Sequence, residues 1–485
     1  MQVSDQGLVR TQAFVDGQWI DADSGETLAV SNPATGETIA EIARCGTAET
    51  RRAIEAASRA LVGWRQITVK ERAAILRKWF ELVMENQEDL AHIMTAEQGK
   101  PLAEARAEIA YGANYIEWFA EEAKRVYGDT IAPPSMDKRI VVIKQPIGVV
   151  ACVTPWNLPS AMLTRKIAPA LAAGCTVVCK PANATPLSAF AVVELLQRAG
   201  APAGVVNVLG GVTREIGAEM TSNPVVRKVS FTGSTAVGKL LMEQCAATVK
   251  RTSMELGGNA PFIVFDDADL DEALEGIMAC KFRNAGQTCV SANRIMVQAG
   301  VHDEFTKKLS DATATLKMGD GAESGVLIGP LITEDAANDV LEIVDDAIAK
   351  GAQVVAGGAR SELGACFVEP TVLTGANDSM RMFREEIFGP IAPIYKFETE
   401  EEAIALANDT EFGLASYLYA RDIGRIWRVS EGLEYGIVGV NAGMISNEMA
   451  PFGGVKESGQ GREGSLYGLD DYLEIKAITI GGIDK

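Results

Sequence analysis

The stretch Lys281-Phe282-Arg283-Asn284-Ala285-Gly286-Gln287-Thr288-Cys289 offers the first chemistry in this chain. It sets one cysteine after a Gly-Gln-Thr turn, where a helical pattern over 269–282 stops and a β-rich pattern begins. A cysteine on such a turn is held at a fixed angle and can stay open to a ligand, as a catalytic thiolate must be. The same residue would equally suit a small apolar core position, where most free cysteines sit. Only two histidines occur, His92 and His302, each in a helical, charge-rich stretch. Histidine triads and histidine metal sites are therefore not expected, and proton transfer falls to a carboxylate or a lysine. The eight cysteines are scattered. Cys175 and Cys179 lie in a strand-like Cys-Thr-Val-Val-Cys run with no second pair to complete a zinc site, so the expectation is no metal and a reduced, cytoplasmic protein.

The elements that must position these residues alternate regularly between 147 and 282. Short β runs at 148–153, 175–179, 205–208, 227–231 and 261–265 are separated by helical patterns at 159–173, 186–199, 213–220, 234–247 and 269–282. Thr185-Pro186 supplies an N-cap and a first-turn proline. Such alternation predicts βαβ units and a parallel sheet covered on both faces, with ligands at the carboxyl ends of the strands. Polar residues and glycines collect at those ends: Pro155-Trp156-Asn157, Lys180-Pro181-Ala182-Asn183, Thr232-Gly233-Ser234 and, after a β run at 250–255, Glu255-Leu256-Gly257-Gly258. A second α/β block spans roughly 292–470. Residues 12–40 carry short β pieces, 47–126 read as helices, and 128–146 reads as an extended arm with two short strands. The tail from 471 is β-prone and could pair with the arm, whose edge a partner subunit could bury.

With 485 residues, two or three domains are expected. A net charge of −20 argues against nucleic-acid or anionic-membrane partners, and no apolar run is long enough to span a bilayer. Two motif matches mislead. Gly233-Ser-Thr-Ala-Val-Gly238-Lys239 nearly spells a P-loop, but Leu240 stands where a magnesium-binding hydroxyl is required, so nucleotide hydrolysis is rejected. Its helix start could still hold a phosphate. Gly459-Gln-Gly461-Arg-Glu-Gly464 matches a dinucleotide string, but too little chain follows for a βαβ unit.

Taken together, Pro155-Trp156-Asn157-Leu158-Pro159, Lys180-Pro181-Ala182, Phe231-Thr232-Gly233-Ser234, Glu255-Leu256-Gly257-Gly258, Gly286-Gln287-Thr288-Cys289, Glu386-Ile387-Phe388-Gly389-Pro390 and Pro451-Phe452-Gly453-Gly454 resemble the aldehyde dehydrogenase superfamily, in family order and over nearly the whole chain. The resemblance implies an α/β fold. A Rossmann-like coenzyme domain would take 1–127 and 147–256, an α/β catalytic domain 257–470, and a small β oligomerisation arm 128–146 and 471–485. It also implies a homo-dimer or homo-tetramer. Cys289 would attack the aldehyde as thiolate, with the Asn157 amide and the Cys289 N–H stabilising the oxyanion. Hydride transfer would leave a thioester, hydrolysed by water that Glu255 activates. Relatives that pass the acyl group to coenzyme A typically lack this glutamate.

By the same resemblance Lys180 would hold the adenosine ribose, Ser234 the pyrophosphate and Glu386 the nicotinamide ribose. Pro155, Trp156, Ala182, Asn183, Thr232, Gly233, Leu256 and Phe388 would complete the coenzyme site. NAD-preferring relatives often carry glutamate three residues after that lysine. Asn183 removes this charge, which favours NADP while leaving NAD usable. The pieces Met162–Lys166, Lys281–Asn284 and Ile445–Glu448 extend the resemblance to succinate-semialdehyde dehydrogenases, with glutarate semialdehyde a neighbouring substrate. A small acidic aldehyde needs cationic recognition of its distal carboxylate, for which Arg165 and Arg283, helped by Ser446, are the candidates. Ser291 replaces the second cysteine that many relatives carry beside the nucleophile, so that local disulfide switch is not expected.

Overall fold

The computed structural model describes residues 2–483. Its largest sheet has eight strands, in the order Gly459–Gln460, Arg251–Glu255, Val226–Thr232, Val149–Val153, Thr176–Lys180, Val206–Val208, Ala13–Val15 and Gln18–Ile20. The middle five are parallel, and the outer ones are antiparallel to their neighbours. Chain order reverses between Val149–Val153 and Val226–Thr232, which opens a crevice at their carboxyl ends. Alternate residues of these strands enter two different cores. Val150, Cys152, Val177 and Cys179 pack with the helices Val69–Glu85, Gln87–Gln98, Leu102–Glu122, Ala161–Ala173 and Pro186–Arg198, while Val149, Ala151 and Val178 pack with Thr47–Trp64 and Thr213–Ser222. Burial on both faces is why these strands read as unbroken apolar runs rather than alternating ones.

The second sheet has seven strands, Gln353–Ala356, Thr371–Thr374, Ile391–Phe397, Ala292–Gln298, Ala260–Val264, Ala415–Tyr419 and Ile437–Val440, all parallel except the first. Sequence patterning missed Thr371–Thr374 and the single turn Arg381–Arg384, both too short to express a period. Helix starts follow local chemistry. Thr68 and Glu71 form a reciprocal capping box, and the Asp269 carboxylate accepts from the N–H groups of Asp271 and Glu272.

The tail strand Leu473–Gly481 pairs along its whole length with Lys138–Pro146, which also pairs with Asp129–Ile131. This three-stranded arm presents Ile131, Ile475, Ile478 and Ile480 to solvent. Both misleading motifs have physical explanations. In the near-P-loop, Lys239 turns outward to an ion pair with Glu457 at 2.7 Å, and Gly238 is needed because a Cβ there would lie 2.4 Å from Leu256 Cδ2. Gly459–Gln460 is an antiparallel edge strand beside Arg251–Glu255 with no helix behind it. No helix among the described residues is long and apolar enough to cross a membrane.

Deleting the chain from Leu473 onward should expose the long edge of Lys138–Pro146 beside apolar surface. We expect the truncated protein to aggregate, which light scattering and size-exclusion chromatography would read.

Candidate active site

Helix Leu270–Lys281 ends at Phe282, and the chain then enters a left-handed turn: Asn284 has φ 52°, Ala285 53° and Gly286 76°. Two successive non-glycine residues in that region are strained and persist only where their surroundings hold them. Here the Asn284 N–H donates to Glu104 Oε2 at 2.7 Å and its Nδ2 donates to the Asn157 carbonyl at 3.1 Å. Gln287 fixes the far side, with its Nε2 donating to the Asn284 carbonyl (3.0 Å) and its Oε1 accepting from the Ile332 N–H (3.0 Å). Next to it the Val290 carbonyl accepts the Tyr417 hydroxyl at 2.7 Å. Cys289 sits between these anchors, partly exposed. Gly258 makes room for it, since a Cβ at 258 would lie 2.4 Å from the Cys289 carbonyl oxygen.

Asn157 follows the strand Val149–Val153 at the crevice. Its Nδ2 donates to the Gln287 carbonyl at 2.9 Å, which uses one of two hydrogens and aims the amide across the turn. Its own carbonyl accepts from Lys100 Nζ at 2.7 Å. Lys100 is also ion-paired with Glu108, and both side chains are almost fully buried. The other Glu108 oxygen accepts from the N–H groups of Ser160 (3.0 Å) and Ala161 (3.2 Å), where helix Ala161–Ala173 begins. One buried pair thus sets Asn157 and the helix carrying Met162, Arg165 and Lys166.

Glu255 ends its strand fully buried, and neither carboxylate oxygen has a partner. Burial and the neighbouring Glu463 push its carboxyl well above the usual range, against the pull of Arg165 and Lys166. Burial also pushes Glu463 up, but Lys166 and Arg165, each 2.6 Å away, win and hold it ionised. Burial pushes the Cys289 thiol up to about 12, with Glu386 and Glu255 adding to it and Arg165 opposing. Burial thus disfavours the ionised forms of both the Cys289 thiol and the Glu255 carboxyl in the free protein.

Cys289 lies where two cavities meet. One is lined by Pro155, Trp156, Asn157, Thr232, Gly233, Ser234, Glu255, Leu256, Glu386 and Phe388. Trp156 and Phe388 form an edge-to-face pair across it, and Phe388 is itself held at φ 51°. Ser234 is the N-cap of Thr235–Ala246 yet makes no cap hydrogen bond, and the buried Thr232 hydroxyl has no partner. Both leave donors for a phosphate, so the residues present fit a dinucleotide. Glu386 accepts from the Gly258 N–H at 3.1 Å, and burial pushes its carboxyl up to about 7. Lys180 and Asn183 lie beyond this cavity, at the next strand end, joined by a bond of 3.1 Å from Lys180 Nζ to Asn183 Oδ1. Ala182 stands between them and does not line the cavity. Burial lowers Lys180 to about 8, and Asn183 Nδ2 donates to the Gly211 carbonyl at 2.7 Å.

The other cavity brings Arg165, Arg283 and Ser446 together with Lys100, Glu104 and Tyr111 around Cys289. Arg165 is fully buried, over the rings of Phe452 (4.2 Å) and Tyr115 (4.9 Å), and shares Glu463 with Lys166. Arg283 keeps a buried Nε without an acceptor. Sequence reasoning missed Lys100, Glu104, Glu108 and Glu463. Glu104 and Glu108 stand four apart on one face of Leu102–Glu122, just after the Gly99-Lys100-Pro101 break, and that pattern could have flagged them.

This fold and site define a class, and comparison with known proteins gives the same one. The profile of the "Aldehyde dehydrogenase family" matches residues 19–478, and the chain belongs to that family of oxidoreductases. The chain is 60% identical to 3-sulfolactaldehyde dehydrogenase of Pseudomonas putida over the full length of both. It is 61% identical to a glutarate-semialdehyde dehydrogenase of Pseudomonas putida, covering 99% of this chain and 100% of that one. Against the NADP-dependent succinate-semialdehyde dehydrogenase of Escherichia coli it is 60% identical, with coverage of 99% and 100%. The crystal structure of succinate-semialdehyde dehydrogenase from Burkholderia pseudomallei superposes with a TM-score of 0.98 at 60% identity, covering 99% of this chain and 100% of that one.

Lys100→Met should strand the Glu108 carboxylate without its partner, a loss of about 3–5 kcal/mol of stability. It should also lower kcat by freeing the Asn157 carbonyl. Adding Glu108→Leu should restore most of the stability in denaturant titrations while kcat stays low.

Proposed function

We propose that the enzyme oxidises a short aldehyde carrying a distal carboxylate, with succinate semialdehyde as substrate and glutarate semialdehyde, one methylene longer, as the alternative. The observation that carries this reading is the position of Cys289 between a crevice cavity lined by Thr232, Ser234 and Glu386 and one lined by Arg165, Arg283 and Ser446. The names of three relatives support it, because each denotes an aldehyde bearing an acidic group.

A bound nicotinamide coenzyme would accept the hydride and, while oxidised, supply positive charge that favours the Cys289 thiolate over the thiol that burial favours. After hydride transfer that charge is gone, and the ionised Glu255 carboxyl is favoured by Arg165, Lys166 and Arg462. The Cys289 thiolate adds to the aldehyde carbon, and the oxyanion takes the second Asn157 Nδ2 hydrogen and the Cys289 N–H. Loss of hydride leaves a thioester on Cys289. Glu255, which lines the same cavity as Cys289 and has no hydrogen bond to break, removes a proton from water as the water attacks that thioester. The carboxylate product leaves, and the thiolate is restored.

Lys180, Asn183 and Ala182 hold the adenosine end, Ser234 and Thr232 the pyrophosphate, and Glu386 with Phe388 the nicotinamide end. NADP is favoured, because position 183 carries no carboxylate to repel a 2′-phosphate and Lys180 is beside it; NAD remains usable. Residues 1–127 and 147–256 form the coenzyme domain and 257–470 the catalytic domain. The arm, 128–146 with 471–485, covers its apolar face in a homo-dimer or homo-tetramer. The enzyme works in the reducing cytoplasm, and its eight cysteines are all free.

The deciding assay is absorbance at 340 nm with succinate semialdehyde, run separately with NADP and NAD. Absence of signal with every short aldehyde would sink the reading. Cys289→Ala should abolish turnover and leave coenzyme binding intact by fluorescence titration. Arg283→Gln should raise KM for acid aldehydes at least about tenfold more than for neutral ones, the loss of a charge-assisted bond. Asn183→Glu should shift the NAD-to-NADP ratio of kcat/KM toward NAD by about tenfold or more through repulsion of the 2′-phosphate.

A further inference from the structure

The substrate cavity holds more charge than the reaction needs, and only part of it is cancelled. Lys100 is spent on Glu108, while Glu463 is shared by Arg165 and Lys166, which leaves that cluster one net positive charge. Outside these clusters stand Arg283 on the turn before Cys289 and Glu104 on helix Leu102–Glu122, both lining the same cavity as Cys289. Neither belongs to an ion pair among the described residues. Glu104 uses Oε2 to accept the Asn284 N–H at 2.7 Å, so its carboxyl is fixed one residue from the arginine.

We propose that Glu104 is a specificity-determining residue that competes with the substrate carboxylate for the field of Arg283, so that acid aldehydes bind well only while Glu104 carries a proton. The proposal rests on the acid-aldehyde reading above. The groups facing Glu104 are Lys100 and Glu108 from its own side, and Arg283 and the Asn284 N–H from the turn. Arg165, Tyr111 and Cys289 complete the cavity. Burial pushes the Glu104 carboxyl up to about 7, against Lys100, the Asn284 N–H and Arg283, which favour ionisation. An incoming carboxylate adds negative charge, raises Glu104 further, and is bound with uptake of a proton. The sign follows: below about pH 7 Glu104 is neutral and Arg283 acts alone, whereas above it the carboxylate cancels that attraction.

The test is the ratio of kcat/KM for succinate semialdehyde to that for butanal, measured from about pH 6 to 8.5. The ratio removes the titration of Cys289 and Glu255, which both aldehydes share. It should fall about three- to tenfold across this range in the native enzyme. In Glu104→Gln, whose amide oxygen can still accept the Asn284 N–H, it should stay high and flat. Glu104→Leu, lacking that acceptor, should also lower kcat for both aldehydes. Calorimetry of succinate binding to the native enzyme in two buffers of different ionisation enthalpy should show net proton uptake near pH 7.5. A flat native ratio, an unchanged slope in Glu104→Gln, or no proton uptake overturns the proposal. If Arg283→Gln affects both aldehydes equally, the acid-aldehyde reading fails instead.

Discussion

The site hangs on one buried ion pair. Lys100 and Glu108 lie in the interior, where two opposite charges are tolerable only if they face each other and their remaining hydrogen-bonding capacity is used. That capacity is spent on the catalytic apparatus. The ammonium takes the carbonyl of Asn157, and the carboxylate takes two N–H groups at the start of helix Ala161–Ala173. As the proposed oxyanion donor, Asn157 must stand within tenths of an ångström of where charge develops. A charge-assisted bond in a dry interior can hold it there, and a flexible surface loop cannot.

The same logic explains the strain in the turn before Cys289. Asn284 and Ala285 adopt a backbone region that costs of order 1–3 kcal/mol each. They are held by Glu104 from one helix, by Asn157 from the coenzyme half and by Gln287 from within the turn. Coenzyme crevice, substrate cavity and nucleophile are thus fastened to one another through Asn157 and Asn284. Movement of one would be felt by the rest.

Much of this was legible in the sequence. The parallel sheets showed because strands buried on both faces leave continuous apolar runs, and Cys289, Asn157 and Glu255 stood out because each lies at or just past the end of a strand or helix pattern, Cys289 and Glu255 with glycines close by. Gly258 was legible as a glycine; that a carbonyl of Cys289 needs its space was not. The buried partners were hidden for a different reason. A lysine or glutamate on an amphipathic helix reads as a solvated face, and only tertiary contact reveals otherwise. Lys166 and Glu463 are separated by 297 residues, and Glu463 lay inside a string set aside as a false dinucleotide motif. Arg165 was expected to line the substrate tunnel; it lines the cavity beside Cys289, with its charge offset by Glu463.

That sharing changes how the cavity selects a substrate. Two arginines with unspent charge would attract any anion strongly and would hold the product of the reaction, which is more anionic than the substrate, more tightly still. Glu463 lies 2.6 Å from both Arg165 and Lys166, so it damps their long-range field while the trio keeps one net positive charge. In the proposed reaction the carboxylate of a short acid aldehyde would then meet Arg283, which has no ion pair among the described residues, and Arg165, whose charge is only partly offset. Glu463 serves both ends of this arrangement. Burial first and Glu463 second raise the Glu255 carboxyl, and the same Glu463 damps the charge of Arg165.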